Sequence, residues 1–183
     1  MRTPAPRVQR ENIARSCGPL QPLDSGWAFR FGPEPVAGDK FKIGPIFDTG
    51  VLLLGRRTWE KFSGIWPNRA DDFSMAMNKI PKLVVSNTSP VLASWSNSSL
   101  LDGDLVDGVA RVARERDVVV AGSTSVVQEL AAADAVDEYR LLVFPAAVGA
   151  GAKLFAAPVD LALTSNETSG AAVLLRYERP AQP

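Results

Sequence analysis

Three short apolar runs constrain this chain more than any other feature: "VLLLG" (51–55), "KLVVS" (82–86) and "DVVVAG" (117–122). They run on without polar alternation, so each calls for cover on both faces, as parallel strands have between two helical layers. Between the runs lies sequence of helical or turn character. "RTWEKFSGIW" reads as a short helix ended near Gly64 and Pro67. In "DLVDGVARVARER", Leu105, Val109 and Val112 share one helical face and leave Arg111, Arg114 and Arg116 to solvent. "VVQELAAAD" is a further, Ala-rich helix, "DEYRLLVFPAAVG" an apolar strand, and "LALTSNETSGAAVLLRYER" two strands turning at Gly170. Alternating strand and helix with a β-rich end predicts a three-layer α/β/α domain, its central sheet mostly parallel with antiparallel C-terminal strands.

Residues 1–45 are of another kind. "GPLQPLDSG" and "FGPEPVAG" are too rich in proline for regular helices or central strands, so this part reads as a loop-rich segment, folded onto the domain or mobile. Its aromatics, Trp27, Phe29, Phe31 and Phe41, nevertheless need something to pack against. The expected organisation is that segment followed by one domain over residues 46–180, within the usual size for a chain of 183 residues.

Twenty Lys and Arg balance twenty Asp and Glu, so the summed charge offers no general attraction for nucleic acid or an anionic membrane. The absence of histidine removes imidazole metal ligands and every His-dependent triad, and no metal is expected. Cys17 is the only cysteine, which rules out an intrachain disulfide and fits a reducing compartment. The N-terminus has arginines without a continuous apolar stretch, and nowhere do some eighteen apolar residues run together, so a soluble, cytoplasmic protein is expected.

Anion recognition must then be local. Gly55, Arg56, Arg57 and Thr58 mark a crossing from strand to helix, where free first-turn amides and a guanidinium can hold phosphate. Gly122, Ser123 and Thr124 repeat the pattern after the third run, and Ser86, Asn87 and Thr88 follow the second. Junctions of one kind point to the carboxyl edge of a parallel sheet, where α/β proteins bind ligands. Solvated turns and ordinary helix caps account for the same residues, and spacing leaves both readings open. "GAGAK" (149–153) matches neither a dinucleotide fingerprint nor a P-loop and reads as a turn. No spacing singles out a general acid among Asp24, Asp48, Asp71 and Asp72.

Taken in order, "LLLGRRTWEKF", "FSMAMNKIPKLVVSNT", "WSNSSLLDGD", "VVVAGSTSVVQEL", "VDEYRLLVFPAAVGAGAKLF" and "VLLRYER" resemble the dihydrofolate reductase-like fold. The likeness runs from Asp48 to Arg179 and is closer to the reductase domain at the C-terminal end of the bifunctional riboflavin-biosynthesis deaminase-reductase, the RibD C-terminal domain. It implies an NADPH-dependent reductase of a small pteridine- or pyrimidine-like heterocycle or carbonyl, such as 5-amino-6-(5-phosphoribosylamino)uracil. Gly55, Arg56, Arg57 and Thr58 would then hold the 2'-phosphate or pyrophosphate. Ser86, Asn87 and Thr88 would flank the adenosine, and Gly122, Ser123 and Thr124 would approach the pyrophosphate. Trp27, Phe62 and Trp66 become candidates for the substrate lining, and Asp24 for the proton donor. The likeness also implies a homodimer joined through the β-rich end.

One part of the pattern is missing. Such domains open with an apolar strand before a Ser-Leu-Asp-Gly-like turn; here Leu23–Gly26 echo the turn with no strong strand before it. Either Ile13–Ser16 is a short remnant strand or the sheet lacks its central element. A nucleotide-binding or sensory protein that has kept the cofactor edge and lost turnover is the rival reading, and a domain without any ligand is a third.

Overall fold

All five residues of strand β2 (Val51–Gly55) are buried, Leu53 and Leu54 completely, and the rest of the fold is arranged around that strand. The structure, a computed structural model, describes residues 8–12 and 27–180. In chain order its regular elements are β1 (Val8–Asn12), α1 (Ile46–Thr49), β2, α2 (Arg56–Ser63), α3 (Asp72–Lys79), β3 (Lys82–Val85), β4 (Ser98–Leu100), α4 (Leu105–Val112), β5 (Val118–Val120), α5 (Thr124–Ala132), β6 (Glu138–Val143), β7 (Ala162–Ser169) and β8 (Ala172–Glu178). Short 3-10 helices at Trp27–Phe31, Glu34–Val36 and Trp66–Asn68 complete it.

The eight strands form one sheet in the order β4-β3-β2-β5-β1-β6-β8-β7. The first six in that order pair in parallel, whereas β8 pairs antiparallel with both β6 and β7. Leu52 and Leu54 face a layer built by α1, α2, α3 and the 37–44 segment, where Phe41, Phe47, Phe62 and Trp95 are buried. Val51 and Leu53 face α4 and α5, packed with Val109, Val127 and Leu130. The three-layer α/β fold with antiparallel C-terminal strands expected from the sequence is therefore present, and Gly170, at φ +56°, makes the β7–β8 turn.

The loop reading of residues 1–45 is corrected at two places. Val8–Asn12 is the central strand, paired with β5 on one side and β6 on the other; the alternative strand at Ile13–Ser16 lies outside the described residues. "VQREN" conceals this because central parallel strands are normally apolar. The polarity has company: Gln9 and Glu11 stand at register positions beside Glu138 and Arg140 of β6, which are buried and ion-paired with each other. Arg140 also donates through Nη1 to the carbonyls of Phe41 (2.9 Å) and Lys42 (2.8 Å), pinning the 37–44 segment onto the sheet. Such a buried pair is better tolerated because Nη1 of the guanidinium also finds acceptors. Second, residues 27–36 pack on the carboxyl end of β6 and the adjoining amino end of β8, where Trp27, Ala28 and Phe31 surround Phe144 and Ala172.

Lys82, the first residue of β3, is fully buried on the face of Leu52. Its Nζ donates to the carbonyls of Asn78 (2.6 Å) and Ser96 (3.1 Å) and lies 4.5 Å from the centre of the Trp95 ring, tying the end of α3 to the segment before β4. No carboxylate compensates it in these contacts, and burial pushes its pKa down to about 8. Between that value and the ordinary value of 10.5 the unfolded chain binds more protons than the folded one, so stability attributable to Lys82 rises with pH over that window. Urea unfolding at pH steps from 7 to about 10 should show this rise in the wild type, and Lys82→Met should flatten it. Equal pH slopes in the two proteins would remove the buried ammonium as the cause.

Candidate active site

The register of the parallel strands brings the expected junctions to one edge. Gly55 pairs with Val85, so Ser86 stands level with Arg56, while Leu53 pairs with Val120, which sets Gly122 beside Gly55. The Gly55 amide donates to the Gly122 carbonyl at 2.9 Å, continuing the ladder past the end of β5. A Cβ on Gly55 would lie 2.5 Å from Ser123 Oγ and 3.2 Å from the Ser123 nitrogen, so any side chain there would force Ser123 to shift. Gly122 has φ +109°, a conformation that L side chains rarely adopt, and the place of its missing Cβ is 3.5 Å from Thr58 Oγ1. The Gly122–Ser123 peptide is cis. Gly55, Thr58, Gly122 and Ser123 thus converge.

The helices that begin there differ from their neighbours. Asp71 caps α3 by accepting from Ser74 N (3.0 Å), and Asp104 caps α4 by accepting from Val106 N (2.9 Å). The Ser74 side-chain and backbone hydrogen bonds hold the Asp71 carboxyl below the usual carboxylate range. By contrast α2, capped by Gly55, and α5, capped by Ser123 and opened by Thr124, have no side-chain cap. Ser123 Oγ is engaged sideways with Ser125 Oγ at 3.0 Å. Neither N-cap residue thus accepts through its side chain from the first turn of its helix, an arrangement suited to an anion.

The two arginines are not equivalent. Arg56 Nη1 donates to Glu60 Oε1 one turn along α2, whereas Arg57 is exposed and has no ion pair among the described residues. On the far side of β2, Ser86 Oγ accepts from the Thr88 amide at 3.1 Å and contacts Thr88 Oγ1. Ser86, Asn87 and Thr88 form a self-closed turn whose place on this edge follows from register.

The three aromatic candidates do not assemble. Helix α2 runs back from the carboxyl edge, so Phe62 lies ~9 Å along its axis from Arg56. Phe62 packs edge-on against Trp66 (5.8 Å between ring centres) and Trp95 (6.4 Å), and Trp66 against Phe73 (5.5 Å), inside the α1–α3 layer. These two rings are core residues here rather than an edge lining. Trp27 does stand at the carboxyl end of β6, packed against Phe144. Asp24 lies outside the described residues. Sequence reasoning missed Phe144 and β1; the first was visible only as the apolar end of "LLVF". Among the described residues no group of three or more Asp, Glu or Cys side chains can hold a metal, and no helix is long and apolar enough to cross a membrane.

Known proteins share this architecture. No curated protein matches the sequence. A crystal structure from Shewanella sp. PV-4, described as a riboflavin biosynthesis protein, superposes with a TM-score of 0.61 at 20% identity over 76% of this chain and 80% of that one. The Thermotoga maritima diaminohydroxyphosphoribosylaminopyrimidine deaminase/5-amino-6-(5-phosphoribosylamino)uracil reductase gives 0.58 at 15% identity, covering 96% of this chain but 57% of its own. Acinetobacter baumannii RibD gives 0.60 at 13% identity, over 97% and 59% respectively. This chain thus spans under two thirds of the length of the latter two, and at such identities the likeness is one of fold. Residues 46–175, well over half of the chain, match the RibD C-terminal domain. The chain belongs to the RibD C-terminal domain family.

Proposed function

We propose that the protein is a reductase that binds NADPH across the carboxyl ends of β3, β2 and β5 and reduces a small pteridine- or pyrimidine-like heterocycle. The observation that carries this reading is the contact between the β2–α2 and β5–α5 junctions, where glycine backbones and two helix starts whose N-cap residues make no side-chain bond meet beside Arg57, which has no ion pair among the described residues. These residues fit a phosphorylated dinucleotide. The bare backbone at Gly55 and Gly122 lets a pyrophosphate approach the amides of α2 and α5, and Thr58 adds a hydroxyl. Arg57 supplies a charge available for the 2'-phosphate, and Arg56 must first give up Glu60. The Ser86–Thr88 turn borders the adenosine.

The chemistry supplied by the cofactor when bound is transfer of a hydride from its dihydronicotinamide ring to an electrophilic carbon. The protein's task is orientation and exclusion of water, which needs no histidine. We assign the accompanying proton to Asp24 or to water. Membership of the RibD C-terminal family supports the reductase reading.

The dimer is proposed through the antiparallel end of the sheet. β7 is an edge strand with one charged residue and no proline, and its pairing with β8 is irregular only between Leu163 and Ser165, which leaves the stretch from Ser165 to Ser169 open to a further strand. On the three strands beside that edge Val143, Leu163 and Val173 are 47%, 52% and 39% exposed, and Val143 pairs with Val173. A second copy of the chain would cover them.

Calorimetric titration tests the cofactor. Arg57→Ala should weaken NADPH about tenfold or more and leave NADH nearly unchanged, since a charge-assisted hydrogen bond is worth ~1.5–3 kcal/mol. Arg56→Ala should cost less, because its partner Glu60 is already in place. Equal loss of NADPH and NADH affinity in Arg57→Ala would refute the 2'-phosphate assignment. For the dimer, sedimentation velocity should give twice the chain mass for the wild type and the chain mass for Val173→Lys; a monomeric wild type at micromolar concentration would exclude it.

A further inference from the structure

The amino ends of the strands, opposite the glycine junctions, hold a hollow that the reductase reading does not use. Val51 begins β2 four residues before Gly55, so the two edges lie ~13 Å apart along that strand. Val51, Pro81 and Leu83 form the floor of the hollow, with Ser99 of β4 paired beside Leu83. The last turn of α4 and the residues after it, from Arg111 to Arg116, close its side. The enclosed space is about 380 Å³, within the range of ~300–1,000 Å³ usual for small-molecule sites.

The seating of α4 on the sheet explains why this space is left. A Cβ at Gly108 would lie 3.0 Å from the Asp102 carbonyl oxygen and 3.0 Å from Leu101 Cγ, so the middle of the helix is hard against the chain leaving β4. Leu105 and Val109 are buried there. One turn on, Val112 belongs to the same apolar face and is only half-buried, as is Leu83 across the hollow. The packing is thus tight at Gly108 and open at Val112, and the opening has apolar walls.

Its rim carries both signs of charge. Arg111 is already committed, since its Nη2 donates to the Asp102 carbonyl at 2.5 Å. Glu115 and Arg116 are exposed and have no ion pair or side-chain hydrogen bond among the described residues. Both backbone amides bond to the Val112 carbonyl in one helical turn, where consecutive side chains do not face each other. An organic anion alone would meet repulsion at Glu115, and an amine alone would meet it at Arg116. A ligand that carries both charges on an apolar body satisfies the whole lining.

We propose that this hollow binds a free amino acid with an apolar side chain. The side chain rests against Val51, Leu83 and Val112, the carboxylate meets Arg116 and the ammonium meets Glu115. The hollow shares no residue with the cofactor edge and stands whether or not the reductase reading does.

Calorimetric titration of the purified full chain with L-leucine tests this. Arg116→Gln and Glu115→Gln, at exposed positions that leave the fold intact, should each weaken leucine about fivefold or more. Two analogues read the charges separately: 4-methylpentanoate lacks the ammonium and 3-methylbutylamine lacks the carboxylate. Each should bind the wild type about fivefold or more weakly than leucine does. In proton–nitrogen correlation spectra leucine should shift the amides of Leu83, Val112 and Arg116 and leave those of Gly55 and Gly122 in place. No binding at about 10 mM leucine, an analogue as tight as leucine, unchanged affinity in either variant, or shifts confined to other residues would overturn the proposal.

Discussion

The fold depends on the burial of β2 from both sides. A strand whose residues are all buried cannot sit at a sheet edge or face water, so it needs paired neighbours and two covering layers. β3 and β5 provide the neighbours, in parallel, and parallel pairing requires crossovers long enough to hold helices. Those crossovers are α2 with α3 on one side and α4 on the other. Because each parallel strand must then end at the same edge, the junctions after β2, β3 and β5 are brought together as a consequence of covering leucines and valines.

The centre of the sheet obeys a different rule. β1 is polar, and β6 beside it carries the buried Glu138–Arg140 pair. Here the sheet face is covered by chain carbonyls, of Phe41 and Lys42, rather than by an apolar helix face. Asp39 shapes the same segment by accepting from the amides of Ile43 (2.9 Å) and Gly44 (2.8 Å). A segment without helical periodicity can therefore serve as a covering layer, because its polar backbone is satisfied by side chains from the sheet and from itself. Lys82 works by a related device at the opposite end of β3, with two carbonyls and an indole ring around a buried ammonium.

The legibility of the site follows from the same division. Gly55, Arg56, Arg57 and Thr58 could be read because a glycine after an apolar run and before helical sequence marks a strand-to-helix junction whatever the partner. The same held for Gly122, Ser123 and Thr124. The difference between the arginines could not be read, since it turns on which side chain Glu60 meets. Phe62 and Trp66 misled for a comparable reason: aromatic residues suit a substrate wall and a core equally, and only the direction of α2 away from the edge decides between them.

The sequence by itself determined the parallel three-layer architecture, the antiparallel end and the two glycine junctions, because continuous apolar runs and glycine punctuation act locally and have few solutions. Tertiary structure alone decided that "VQREN" is the central strand, since its pairing with β5 and β6, both more than a hundred positions away, and not its own residue pattern, puts it there. It also decided that Trp27 and Phe144, far apart in the chain, share one edge, because strand order, and not distance along the sequence, sets which ends become neighbours.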